Sequence, residues 1–573
     1  MKEEWGVPAD NHHHVWDEEA RTRVQRRVTA YSGALQLDLV QEGWWPPPIE
    51  SDASTILPPT TALKGLGELR AACEETAHTM LQSHSSRKWL ETLRLLPWNA
   101  FTWPGALPTT GMAVRDIAET LSTLAPSNSA QQKTGDGLDG DISAAVPIIA
   151  VANVLRRVHS AMRLAGKGVS FEWARDLSLM PSCTHTQRVA IDLYDQRVRV
   201  TEGDFSTGGV TLSQPGAPLP SPPFGLDILT VQRLEQGFVL PASLSNAWGI
   251  DECETSFCLH TLNLSRLANL NSNIRPRTHP PDVVKLALLL HFARRLLSRR
   301  PELLLRTHLK GYLEAPEESV FVDAIAQCAE ELQEFQFRVF GFDEPVNADD
   351  ILWDLKQVQA CLWPTRLGPV IRSDSRSTVV DLVAASAQLA AGLRFVGHTM
   401  GRERGRLFEV VVQETIDDSP WGQIPDTLRE CVGVQLVSSG GKAITDIDAI
   451  GMKAGTVLLV DCLSRLKEPD RHLAGDNRAY LQDARRVEDK VSGAKGRPEH
   501  GWAAKCSRVV GRRGRNFDLR AFHDCICVVV TPVPVYIEES LVGRDPGALR
   551  QITHGLLAVS SYAEFRSWLN DGA

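Results

Sequence analysis

The sequence predicts a multidomain protein with a mainly α N-terminal region and a C-terminal α/β domain built on a central mixed sheet. Three observations lead there. The chain has 573 residues, enough for two to four domains at roughly 100–200 residues each. Up to about residue 395, most segments repeat apolar residues every three or four positions, the period of a helix with one buried face. After about Gly397 the pattern changes to short β-branched runs flanked by helical ones.

Composition narrows the class. The hydrophobic fraction is 43% and the charged fraction 23%, as in ordinary soluble globular proteins. The net charge of −9 excludes a polycation, so any nucleic-acid site must come from a local basic patch. Eleven cysteines without a regular framework fit reduced thiols in a cytosol. The acidic, polar start "MKEEWGVPADNHHHVWDEEA" does not read as a signal peptide. Two apolar runs, Ile142–Leu155 and Val283–Leu297, are too short or too charged to span a bilayer, which needs about 20 apolar residues. Both read as buried helices. The expectation is a cytoplasmic protein with no membrane partner.

Three regions follow along the chain. Residues 1–125 form a helical N-terminal domain. The polar, glycine-rich stretch Ala125–Asp141 reads as a loop or linker. Residues 142–395 form a mainly helical middle region. It is interrupted by a β-like piece, "AIDLYDQRVRVTEGDF", and by a Pro-rich loop at 214–225, whose prolines sustain neither a helix nor a central strand. Residues 396–573 form the α/β domain. Its first helix, "RGRLFEVVVQETI", gathers Leu407, Phe408, Val411, Val412 and Thr415 on one face. The strands "CVGVQLVSS", "ITDIDAIGM" and "TVLLVDCLS" follow, then the helix "NRAYLQDARRVEDKV" and the apolar strand "DCICVVVTPVPVYI". The segments "DPGALRQITHGLLAV" and "YAEFRSWL" are expected to be closing helices.

Strand alternation locates the chemistry. Asp446 and Asp448 share one face of their strand, and Val457, Leu459, Asp461 and Leu463 share one face of the next. If the two strands pair as a hairpin around "MKAG", Asp448 and Asp461 meet at one end of the sheet. Two carboxylates there repel and are costly to bury unless a cation joins them. An all-oxygen pair suits Mg²⁺, which activates water and neutralises charge on a phosphodiester.

On these residues the segment from about Gly397 to Glu538 resembles the PD-(D/E)xK, or restriction-endonuclease-like, nuclease superfamily. Glu409 in "GRLFEVVV" matches the helix acid, Asp448 in "TDIDAIG" the first hairpin acid and Asp461 in "LLVDCLS" the second. The resemblance implies that Asp448, Asp461 and Glu409 bind Mg²⁺ or Mn²⁺, and that Gln482 on the following helix takes part. It also marks a departure. Leu463 stands where the family carries its lysine, so the ammonium has either moved, to Lys467, Lys442 or Lys490, or been lost with the chemistry.

A basic segment adjoins this motif. From Arg485 to Arg520, eleven Lys and Arg face four Asp and Glu, a local charge of +7. Arg485, Arg486, Lys490, Lys505, Arg512, Arg513 and Arg515 are its candidate phosphate contacts. Cys253, Cys258 and His260 lack a second ligand pair and read as packed side chains. "SSGGK" lacks the full phosphate-loop pattern. The sequence therefore points to a Mg²⁺-dependent nuclease acting on nucleic acid, with DNA the first candidate. The helical region would contact a protein partner, in a bacterial defence or DNA-processing assembly by analogy with the superfamily. The alternative is a catalytically inactive nuclease-fold subunit that binds nucleic acid or scaffolds a complex.

Overall fold

The computed structural model describes residues 18–41, 55–96, 101, 108–127, 137–173, 179–207, 210–211, 226–239, 254–264, 281–300, 302–359, 368–394, 401–437, 443–463, 486, 509–510, 516–517, 524–532, 534–536, 556–557 and 559–571. In chain order its elements are α1 (Glu18–Gln41), β1 (Thr55–Leu57), α2 (Pro59–Leu81), α3 (Ser86–Leu95), α4 (Pro108–Leu121), α5 (Gly137–Gly166), β2 (Ser170–Trp173), β3 (Leu179–Ser182), α6 (His185–Thr207), β4 (Val210–Thr211), β5 (Asp227–Val239) and β6 (Glu254–Asn263). Then come α7 (Pro281–Arg299), α8 (Glu302–Lys310), β7 (Tyr312–Ala315), α9 (Glu318–Ala326), α10 (Ala329–Phe340), α11 (Ala348–Lys356), β8 (Ile371–Ser373), β9 (Thr378–Asp381), α12 (Leu382–Arg394), α13 (Gly401–Asp417) and α14 (Asp426–Arg429). The last are β10 (Val434–Val437), β11 (Ala443–Ile447), β12 (Ala449–Lys453), β13 (Thr456–Cys462), β14 (Val509–Val510), β15 (Asn516–Phe517), β16 (Asp524–Thr531), β17 (Val559–Ser561) and α15 (Tyr562–Asp571).

Two compact units result. The first comprises residues 1–164, 171–180 and 209–394, and the second 165–170, 181–208 and 395–573. The expected boundaries at 125 and 142 both fall inside the first unit, and the expected start at 396 lies next to Phe395.

The first unit is largely helical but also carries small antiparallel sheets. β5 and β6 pair from Asp227↔Asn263 to Val239↔Glu254, and β7–β9–β8 form a second sheet. The apolar runs read as buried helices are α5 and α7. Ile148 to Ala152 and Leu286 to Leu290 are buried on every side of the turn. No helix among the described residues is long and apolar enough to cross a membrane.

A buried charged network ties five elements of this unit together. Arg94 of α3 meets Glu119 of α4 at 3.1 Å and Asp381 of β9 at 2.7 Å. Arg233 of β5 meets the same Glu119 at 2.7 Å. Arg372 of β8 donates to the Ser122 hydroxyl at 2.7 Å. Phe257 of β6 lies under the guanidinium groups of Arg94, Arg115 and Arg233, 5.3, 5.6 and 5.3 Å from its ring centre. Such contacts offset part of the cost of desolvating the cations.

The second unit is built on a mixed four-stranded sheet ordered β12–β13–β16–β17. β12 and β13 are antiparallel, β13 and β16 parallel, and β16 and β17 parallel. Its centre is apolar on both faces: Val457 to Val460 and Val528 to Val530 are fully buried, as expected for parallel strands covered on both sides. Strands β11, β10, β14 and β15 form a second sheet.

Two expectations are corrected here. "AIDLYDQRVRVTEGDF" is not β-like but lies in helix α6. Ala190, Ile191, Tyr194 and Arg197 form its buried stripe. The stripe is hidden in the sequence because one of its four members is an arginine. Arg197 tolerates burial because its guanidinium is well paired, giving a forked pair to Glu564 at 2.7 and 3.1 Å and bonds to the Val535 and Val559 carbonyls at 3.1 and 3.0 Å. The second correction concerns the end of "DPGALRQITHGLLAV". Its Val559 opens β17, pairing with Val529, rather than closing a helix. "YAEFRSWL" is helical, in α15. The Pro-rich loop 214–225 and most of "NRAYLQDARRVEDKV" lie outside the described residues.

Candidate active site

A two-residue turn sets the register of the hairpin. Ala454 and Gly455 both have positive φ, 47° and 83°, the arrangement that matches the twist of paired strands. From that turn the ladder runs from Lys453↔Thr456 to Ala449↔Val460. The next step brings Asp448 beside Asp461. Asp448 lies between β11, which pairs with β10, and β12, which pairs with β13. It is thus where one chain segment passes from one sheet to the other. Its amide still donates to the Val460 carbonyl at 3.0 Å.

Asp448 Oδ2 accepts a hydrogen bond from the Cys462 amide at 2.6 Å. Asp461 is 3% exposed. Desolvation, and then the neighbouring Asp461, push the Asp448 carboxyl up to about 8, with Glu409 of α13 adding to the effect. A proton held on Asp448 relieves the repulsion between the two side chains. Desolvation and these three acids also hold the Cys462 thiol well above its ordinary range, so it is protonated and unreactive at neutral pH.

The structure therefore brings Glu409, Asp448 and Asp461 into one electrostatic neighbourhood. Among the described residues, no three His, Cys, Asp or Glu side chains are already arranged around one ion position. The donor chemistry nevertheless suits a hard divalent cation. All three side chains end in carboxyl oxygens, the donor type that hard divalent ions prefer.

Leu463 is buried, and its amide donates to the Val530 carbonyl at 2.9 Å. Leu463 is thus part of the apolar sheet core. Arg486 is helical and exposed. Lys442, Lys467, Gln482, Arg485, Lys490, Lys505, Arg512, Arg513 and Arg515 lie outside the described residues. The last three arginines fall between β14 and β15.

Sequence reasoning passes over Gln413. One turn beyond Glu409 on α13, its side-chain amide nitrogen donates to the Ile450 carbonyl at 3.0 Å, and its oxygen accepts from the Ile450 amide at 2.9 Å. The same nitrogen reaches Asp417 Oδ1 at 3.0 Å, and Arg429 clasps that carboxylate at 3.0 and 2.9 Å. Glu409, Gln413 and Asp417 are spaced by four, a polar stripe beside the apolar one, and that spacing is a readable signal. No protein-family model, no curated protein and no solved structure matches this chain.

Proposed function

We propose that the second unit is a Mg²⁺-dependent nuclease that hydrolyses phosphodiester bonds of nucleic acid, with DNA the first candidate. One observation carries this reading. Two carboxylates, Asp448 and Asp461, meet at the end of a β-hairpin, with a helix acid, Glu409, adding its charge. Packing three acids together without a cation is unfavourable, so the arrangement makes physical sense as a cation site.

In this reading Asp448 and Asp461 would hold the ion through their carboxylate oxygens, and Glu409 would assist by binding the ion or the attacking water. When bound, the cation lowers the pKa of water and neutralises charge on the phosphate. The Cys462 amide fixes Asp448 Oδ2, so that carboxylate is oriented before any ligand arrives. Glu409 is the candidate to accept a proton from the attacking water. The basic segment Arg485–Arg520 supplies phosphate contacts that are independent of sequence.

A second reading, an inactive nuclease-fold subunit that binds nucleic acid or scaffolds a complex, is favoured by one feature. Leu463 buries an apolar side chain where an ammonium would be expected. Cleavage of linear, circular and single-stranded DNA and of RNA, with Mg²⁺ or Mn²⁺, separates the two. Cutting by the wild type but by neither Asp448→Ala nor Asp461→Ala is the expected result. Binding without cutting in all three would favour the inactive subunit.

A further inference from the structure

We propose that Gln413 is the positioning residue of the carboxylate site, holding α13 in register with β12 so that Glu409 stands against Asp448 and Asp461. The inference rests on the nuclease reading for its consequence in cleavage.

β12 is an edge strand of its sheet. An edge strand presents unpaired N–H and C=O groups. Ile450 commits both of its outward groups to the Gln413 side chain, at 2.9 and 3.0 Å. The side-chain amide thus does what a neighbouring strand would do, at one residue only. Together with the backbone bond between Met452 and Trp421, that contact sets the register. Glu409 lies four residues before Gln413, about 6 Å along a helix. Asp448 lies two residues before Ile450, about 6.6 Å along a strand. The two steps match, so pinning Gln413 to Ile450 delivers Glu409 to the level of Asp448. The other end of the helix obeys the same register. Beyond α13 the Met452 amide donates to the Trp421 carbonyl at 2.9 Å, and Gly422 and Met452 form a parallel bridge. Asp417, clasped by Arg429, keeps the Gln413 amide from turning over, because only its nitrogen can donate to a carboxylate.

Gln413 acts through Glu409 and touches neither ion nor substrate, so its replacement should change cation affinity and turnover rather than substrate binding. The experiment uses the full chain and titrates Mn²⁺ alone by calorimetry, then measures cleavage with Mn²⁺ saturating. Gln413→Leu keeps the volume and removes both bonds to Ile450. Gln413→Asn keeps both groups on a shorter arm and serves if the leucine variant does not fold. Ile416→Val, a packing change on the same helix, controls for stability. The expected result is at least tenfold weaker Mn²⁺ binding and at least tenfold lower kcat in the Gln413 variants, with KM for nucleic acid within twofold. Ile416→Val should lower the melting temperature and leave Mn²⁺ affinity within twofold.

Wild-type Mn²⁺ affinity in a folded Gln413 variant overturns the positioning role and leaves the nuclease reading standing. So does a loss of affinity that Ile416→Val reproduces at equal melting temperature. Wild-type protein that neither binds Mn²⁺ nor cleaves removes the nuclease reading, and the positioning role with it.

Discussion

Asp448 has an ordinary carboxyl value of 3.8 when free and about 8 in the folded chain, raised by desolvation and then by Asp461. Between those two values the native state holds a proton that the unfolded state has released. By linkage, the metal-free protein therefore loses stability as pH rises through this window, and keeps its full contribution below it. A divalent cation that discharges the repulsion should oppose that loss. The rise in melting temperature on adding Mg²⁺ is accordingly expected to grow from pH 5 to pH 8, which differential scanning fluorimetry at fixed ionic strength would read. An increment that is flat or shrinks with pH would argue against ion binding at Asp448. The same residue sets a second expectation. Asp448→Asn removes one of two clashing acids but keeps the oxygen that accepts from the Cys462 amide. The metal-free variant should melt at or above the wild type while cleavage is abolished. That trade between stability and activity marks residues strained for function.

Two buried ion-pair systems lend themselves to mutation at the scale of elements. In the first unit, Glu119 is desolvated, yet Arg233, Arg94 and Arg115 hold its carboxyl below the usual carboxylate range. Glu119→Gln would leave those guanidinium groups buried with less compensation, at a cost of about 3–5 kcal/mol. Chemical denaturation would measure it. In the second unit, Arg197 of α6 grips Glu564 of α15. Desolvation alone would raise the Glu564 carboxyl, but Arg197 and Ser561 hold it down. Its contribution is therefore present above the unfolded carboxylate value, and is lost as pH falls through the lower folded one. Arg197→Ala should cost about 3–5 kcal/mol at neutral pH and less in acid. These pairs also show why some elements are legible in the sequence and others are not. The strands β13 and β16 announce themselves by β-branched runs, and α13 by its apolar stripe. Helix α6 escapes such a reading because periodicity counts an arginine as solvent-facing, whereas Arg197 is buried by partners hundreds of residues away in the chain.

For the whole molecule, charge is unevenly distributed. The chain carries −9 overall, and the segment from Arg485 to Arg520 carries +7. Replacing Arg512, Arg513 and Arg515 together with alanine should weaken binding to unrelated DNA sequences uniformly. It should also flatten the dependence of log affinity on log salt by about 0.9 for each phosphate that is no longer neutralised. An unchanged slope in a salt titration would remove these arginines from the interface. The order of most elements in the second unit, the tight turn that closes the hairpin, and the three acids worth watching can be read from the chain alone. These follow from local rules: alternation, helical period and turn chemistry. Long-range contacts were needed to show that Asp448 is where the chain passes between two sheets, that Leu463 belongs to the core, that α6 joins the second unit, and that Gln413 holds helix to strand. Each of these depends on partners distant in sequence, and a single chain read locally does not say which buried polar group will find its match.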